Sequence, residues 1–459
     1  MSIPNVDRRS QDQSWDGPRT LAEHRGQVLD VLAVRSPGAE VTVRLAEAHS
    51  RVLASEVRAD IDLPPFANSQ MDGFAVAAAS TPGTLPVGPT VPAGVWPEPL
   101  APGTAVPIMT GAPIPPGADT VVPIEETPER SFDAATVTLS EAPAGRFVRP
   151  QGSDLTAGEV LLSAGSRLSA VALGALAAAG LPAVAVRPRP RVLIYTGGDE
   201  VVLPGSDRGP GQIYDANGAI LSGFLARVGA EVVGVRLIDD TPAAFAGHLQ
   251  QDLAELDPDL VLTSGGISAG RFEVVRTALT SDQLPGAEVS FGSVAMQPGG
   301  PQGLGVLGGT VPVVCLPGNP VSTWVSAVIF LQPALAAQWQ TLPPQTVPVR
   351  LTEEVAPLPV KVQVRRGVYG SGARDAEATG ASGVASASGA SLASGASLAS
   401  GAALASGAAP VSGAPYDVRL LPGTSSHLLA EAARAEVLVP VPAGEQPLPA
   451  GTVLEGIQL

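Results

Sequence analysis

The chain has 459 residues, 27 Lys and Arg against 43 Asp and Glu for a formal charge of −16, and only 4% aromatic residues. That length suits three or four domains at roughly 150 residues each, and the acidic excess disfavours nucleic acid as a partner. A single cysteine, Cys315, rules out an intrachain disulfide or a Cys-based zinc cluster.

Residues 1–17 are polar and lack an apolar signal core, so 1–19 is expected to be a disordered tail and the protein soluble and cytoplasmic. Leu21, Val28, Leu29 and Leu32 recur at helical spacing, which predicts a helix over 20–34, and a second helical stretch over 45–50 leads into an extended segment at 52–57. From 63 to 162 short β-favouring runs alternate with Pro/Gly turns, as at 103–108, 119–124 and 135–139, predicting an all-β module. A helix follows over 169–180, with Ser169 as its cap, Gly180 just past its end and Pro182 as a stop. The apolar stretch 171–186 is too short to span a bilayer, so no membrane is expected.

Residues 187–338 carry the strongest pattern. Predicted strands at 191–195, 231–237, 260–262 and 313–316 alternate with helices at 219–228, 242–256, 273–279 and 321–331. Strand–helix alternation of this kind means a parallel sheet with helices on both faces. Ligands then sit at the carboxyl ends of the strands. Residues 346–459 return to β-type alternation, interrupted over 371–414 by a Ser-Gly-Ala-Ser-Leu-Ala repeat of period six, read as a dispensable surface insertion.

Four loops could carry chemistry. Met71-Asp72-Gly73 exposes a carboxylate after a Pro-rich approach, though an Asp-Gly pair is also an ordinary hairpin turn. Thr196-Gly197-Gly198-Asp199-Glu200 ends the first parallel strand with two acids able to hold Mg²⁺ beside substrate phosphates. Its plainer reading is negative charge at a helix N-terminus. Thr263-Ser264-Gly265-Gly266-Ile267-Ser268 is a strand-to-helix turn whose backbone N–H groups could cradle phosphate. Leu316-Pro317-Gly318-Asn319-Pro320 is another. Two such loops and a carboxylate pair on one sheet point to an anionic, nucleotide-like ligand. The four histidines are scattered, and neither a Walker A lysine nor a G-x-G-x-x-G after a strand is present.

In order along the chain, Asn68-Ser-Gln-Met-Asp72-Gly-Phe-Ala75, Ile108-Met-Thr110-Gly-Ala112, Gly152-Ser-Asp154, Gly198-Asp199-Glu200, Gln212-Ile-Tyr-Asp215-Ala-Asn217, Ser264-Gly-Gly266-Ile-Ser268 and Leu316-Pro-Gly-Asn-Pro320 resemble the MoeA/gephyrin family of molybdopterin molybdenumtransferases. The resemblance spans nearly the whole chain from about residue 20. It implies a helical and extended part (20–60 with 156–186), an inserted β-rich module (61–155), a three-layer α/β molybdopterin-binding domain (187–342) and a C-terminal β-barrel (343–459). It further implies insertion of molybdenum from molybdate into adenylyl-molybdopterin with release of AMP, assisted by Mg²⁺. A homodimer would share each active site between subunits, and other molybdenum cofactor proteins are possible partners.

Carried over by motif, Asp72, Thr110, Asp154, Glu200, Asp240 and Glu273 would be catalytic. Asp199, Asp215, Ser264, Gly265, Gly266, Ser268, Pro317, Gly318 and Asn319 would bind substrate. Glu200 and one of Asp239 and Asp240, with Asp240 preferred, would hold the metal. The chain departs from the family at Gly197, where a Thr is usual, at Glu273 for Asp, at Arg271 for a commonly acidic position, and at Gln297-Pro-Gly-Gly300-Pro, where the family has two lysines. A divergent, non-catalytic paralogue that binds molybdopterin or serves as a partner scaffold is the alternative.

Overall fold

The computed structural model describes residues 14–198, 200–238, 241–267, 273–370 and 414–459. The chain forms two compact units, 1–39 with 188–459 and 40–187.

The larger unit is built on a six-stranded sheet. Its strands are β1 (Arg191–Thr196), β2 (Glu231–Leu237), β3 (Leu260–Ser264), β4 (Ala287–Ser293), β5 (Pro301–Leu307) and β6 (Val311–Leu316), in the order β2-β1-β3-β6-β5-β4. The first four of that order run parallel, and β5 and β4 are antiparallel additions. Alternate residues of each parallel strand enter different cores. Val192, Ile194, Leu260, Leu262, Val314 and Leu316 join one, while Leu193, Tyr195, Val261, Val313 and Cys315 join the other. Burial on both faces explains why these strands read as unbroken apolar runs rather than alternating ones.

The first core is covered by α1 (Leu21–Leu32), α2 (Asn217–Val228) and the helical stretch Pro320–Trp339. The second is covered by α3 (Pro242–Leu256) and α4 (Val274–Thr280). The result is the expected three-layer α/β arrangement. By length and composition Pro320–Trp339 could cross a membrane, but 72% of its apolar window is buried inside this core.

Three features of the fold differ from the sequence reading. The β4–β5 pair had no counterpart in the sequence reading, because glycines 292, 303 and 305 dilute its pattern. Residues 14–19, expected in a disordered tail, instead pair along β4: the Trp15 N–H donates to the Phe291 carbonyl and that of Arg19 to Ser293. Helix α1 belongs with the α/β unit, its Leu21, Val28, Val31 and Leu32 buried in the first core, and not with the extended part that follows it. The insertion expected at 371–414 lies outside the described residues up to 413.

Within the same unit β7 (Thr346–Leu351), β8 (Val362–Tyr369), β9 (Tyr416–Leu420), β10 (Val437–Val441) and β11 (Val453–Gln458) close into a five-stranded barrel in the order β8-β9-β7-β11-β10, with β10 returning to β8. Val349, Leu351, Val418, Leu420, Val437, Val439 and Val441 fill it.

The second unit has an extended part and a β part. Val41–Arg44 pairs with Ala183–Val186, and Val57–Arg58 with Val160–Leu162, beside the helix Ala170–Ala178. Ser169 caps that helix, accepting from the Ala172 N–H. In the β part Gly73–Val76 is flanked by Val106–Ile108 and Thr120–Pro123. A second pair, Gly83–Pro86 with Thr136–Leu139, covers one face through Phe74, Val76, Val137 and Leu139.

Candidate active site

The carboxyl ends of β1, β3 and β6 open into one cleft of about 670 Å³. Its walls are the turns after those strands (Gly197, Gly198 and Glu200; Gly265, Gly266 and Ile267; Pro317, Gly318 and Asn319), with Tyr214–Asn217, Glu273, Gln297 and Thr424–Ser426 around them. Adjacent turns are tied together by main-chain hydrogen bonds. The Gly197 N–H donates to Ser264 and the Gly265 N–H to Leu316, both at 3.2 Å. The Asn217 amide closes the ring by donating to the Gly318 carbonyl at 2.7 Å, while its Oδ1 is buried with no partner among the described residues.

The predicted residues divide by what their side chains do. Glu200 and Glu273 both line the cleft, as do Gly265, Gly266, Pro317, Gly318 and Asn319. The Glu200 carboxylate folds back over Gly198, where a Cβ would lie 2.7 Å from Oε2.

Two of the predicted substrate contacts make internal hydrogen bonds that support the turns. Asp215 is buried and receives the Thr196 hydroxyl at 2.8 Å and the N–H groups of Asn217 and Gly218 at 2.9 and 3.1 Å, so it caps the first turn of α2. Ser264 is fully buried, donating to the Pro317 carbonyl at 2.9 Å and lying 2.9 Å from the Thr323 hydroxyl. Its side chain fixes the β6 turn and leaves any ligand contact to the glycines after it. Asp199, Asp239, Asp240, Ser268 and Arg271 lie outside the described residues.

The second unit gathers Asp72 and Thr110. The Thr110 N–H and hydroxyl both donate to Asp72 Oδ1, at 2.6 and 2.7 Å, and hold the carboxyl below the usual carboxylate range. Asp72 is exposed, so this pair is an outward-facing anionic turn rather than a buried ion. Asp154 is exposed as well, its N–H bound to the Leu63 carbonyl at 2.9 Å.

The sequence reading did not single out Thr424–Ser426 as part of the cleft. These residues sit in the connection between β9 and β10 and are held by Arg366, which is 2% exposed. Arg366 donates to the carbonyls of Gly423 and Ser425 and pairs with Glu431 at 3.1 Å. Glu431 also accepts the Gly423 N–H. The Gly-Thr-Ser-Ser-His run after an apolar strand was the available signal.

Among the described residues no three of His, Cys, Asp and Glu gather as a metal site. Two carboxylates beside backbone donors do match Mg²⁺, which takes one or two carboxylates and completes its shell with phosphate and water. None of the described lining residues carries a positive charge, and Gln297 faces the cleft where the family's lysine would be expected.

The larger unit is a three-layer α/β domain with a cleft at its parallel strand ends, joined to a β-barrel, and the smaller unit is β-rich. Residues 19–180 match the family model for the MoeA N-terminal region (domain I and II), and 193–337 match that for a probable molybdopterin binding domain. Molybdopterin molybdenumtransferase 2 of Mycobacterium tuberculosis is 41% identical over 327 residues, covering 69% of this chain and 79% of the relative. The molybdopterin molybdenumtransferase of a Nostoc species is 36% identical over 330 residues, 68% of this chain and 73% of the relative. A molybdopterin biosynthesis MoeA protein from Pyrococcus horikosii has the same fold, with a TM-score of 0.69 at 24% identity over 96% of this chain and 99% of that one. The chain belongs to the MoeA family.

Proposed function

We propose that this protein inserts molybdenum from molybdate into adenylyl-molybdopterin, releasing AMP, in molybdenum cofactor biosynthesis. The cleft carries the proposal: three glycine-containing turns, stitched together by main-chain hydrogen bonds, line it at the ends of parallel strands, with Glu200 and Glu273 beside them. Such an arrangement suits phosphate and oxyanion groups. The names of the relatives supply molybdopterin and the transfer of molybdenum, and the adenylyl form and AMP rest on the sequence resemblance.

In this reading the turns at Gly265, Gly266, Gly318 and Asn319 hold the anionic groups, and Asp199 and Ser268 would bind substrate with them. Asp215 and Ser264 position those turns from behind. Glu200 and Asp240 would hold Mg²⁺, with Glu273 adjacent; the ion would offset negative charge on the phosphates as AMP leaves. Asp72, Thr110 and Asp154 would act on the substrate of a second subunit, so the protein works as a homodimer. The setting is the cytoplasm, without nucleic acid or membrane, and another molybdenum cofactor protein could receive the product.

An unusual helix supports the dimer. Ala170–Ala178 has no polar residue, buries only Leu176, and leaves Val171 83% exposed. A second subunit covering it would remove that apolar surface from water. Val171→Asp is expected to convert a sedimenting dimer to monomer with its circular dichroism unchanged; a variant that stays dimeric puts the interface elsewhere.

The test of function is AMP release from adenylyl-molybdopterin by purified protein with Mg²⁺, with and without molybdate. Release that needs molybdate and stops with chelator is expected. The second reading, a binding paralogue, is favoured by Gln297 and Gly300 replacing two cations, each charge-assisted contact being worth about 1.5–3 kcal/mol. Retained ligand binding without any release would establish that reading instead.

A further inference from the structure

The most exposed large aromatic side chain among the described residues lies outside the cleft lining, in the β part of the second unit. Trp96 is 69% exposed and its neighbour Val95 53% exposed. They sit on a connection stiffened by Pro92, Pro97 and Pro99.

That connection is held at both ends. Val91 bridges to Ile108 and donates its N–H to Pro107, and the Leu100 N–H donates to Pro116. The Phe66 ring stands perpendicular to the indole with centroids 6.1 Å apart. A single perpendicular neighbour occupies at most one face of the indole.

The chain segments of the pair are tied by main-chain bonds to the segment that carries Thr110. Asn68 bridges to Pro113, the Ile114 N–H donates to Ala67, and the Gly111 N–H donates to Ser69. The Phe66 segment and the Trp96 loop are therefore both anchored to the 107–116 segment that carries Thr110. A solvent-facing indole on a loop tied to the segment of a hydrogen-bonding carboxylate turn has the makeup of a site for a flat heterocycle with a polar edge.

We propose that Trp96, braced by Phe66, is a stacking platform for the planar heterocycle of the substrate. This deepens the transferase reading and rests on it for the identity of the ligand, whose adenine and pterin rings share the required chemistry. Asp72 and Thr110 then meet the polar part of the ligand while the indole meets its face.

The experiment is equilibrium binding of adenylyl-molybdopterin, AMP and molybdopterin to the full chain, with wild type, Trp96→Ala and Trp96→Phe, alongside steady-state AMP release. Trp96→Ala is expected to weaken adenylyl-molybdopterin binding about tenfold, the scale of one lost base–aromatic stack. KM should rise with kcat within about twofold, and Trp96→Phe should recover most of the loss. Whichever of AMP and molybdopterin loses affinity in Trp96→Ala identifies the ring.

Equal binding by Trp96→Ala and wild type overturns the platform, as does a wild type that binds none of the three ligands. A wild type that binds but releases no AMP refutes the transferase while the binding comparison still decides the platform. Because the side chain is exposed, the substitution leaves the cores intact.

Discussion

Glu200→Ala and Asp72→Ala are each expected to reduce AMP release at least about 100-fold, the usual scale for removing one group that stabilises charge at a reacting centre. Both side chains are exposed, and neither enters a core, so the melting temperature and circular dichroism should match wild type. Glu200 is one of two described acids that line the cleft and are not committed to capping a helix. Asp72 organises its own turn through both donors of Thr110, so its loss removes a carboxylate and loosens the threonine together. Steady-state release assays on the two variants check this, and near-normal rates in both would remove these residues from the mechanism.

Gly265→Ala is expected to be worse for the fold than either. Its φ of +105° is a conformation that side chains rarely adopt, and a Cβ there would overlap the carbonyl oxygen of Gly197. The overlap is with main chain, so no rotamer change relieves it. Moving the β1 turn away would break the Gly197–Ser264 hydrogen bond and spread the strand ends. The cost should be about 3 kcal/mol or more, combining backbone strain with overpacking. Gly300→Ala is the control, since its nearest neighbours are carbonyls at 3.6 and 3.8 Å and its φ is not in the left-handed region. Chemical denaturation should separate the two glycines, and equal stability of the two variants would contradict the stitched-turn account.

Strands β1, β3 and β6 were legible in the sequence because burial on both faces leaves continuous apolar runs, each ending in a glycine-containing turn. The positions of Glu200, Gly265 and Gly318 followed from those turns. The supporting roles of Asp215 and Ser264 were not legible because a short polar side chain next to a glycine turn can face either way. What turns them inward are Thr196 and Thr323, and neither relation is local enough to be seen in a motif. The β4–β5 pair escaped because its glycines, which let the strands and Trp15 approach closely, erase the alternation that marks a strand. Thr424–Ser426 escaped because their place depends on Arg366, on a strand more than fifty residues earlier.

The route by which Thr424–Ser426 reach the cleft ties the barrel to whatever the cleft binds. The segment leaves β9, is clamped by Arg366 and Glu431 within the barrel's own connections, and accepts the Val321 N–H at Ser426 as the helix after β6 begins. Local opening of the barrel would therefore dissolve one wall of the cleft, so the two cannot fluctuate independently. By linkage, a ligand that needs this wall favours the closed barrel by the same free energy it loses when the barrel opens. Slowed amide exchange on β8 and β9 would then report occupancy of a cleft those strands do not line, making the barrel a remote gauge of the α/β site.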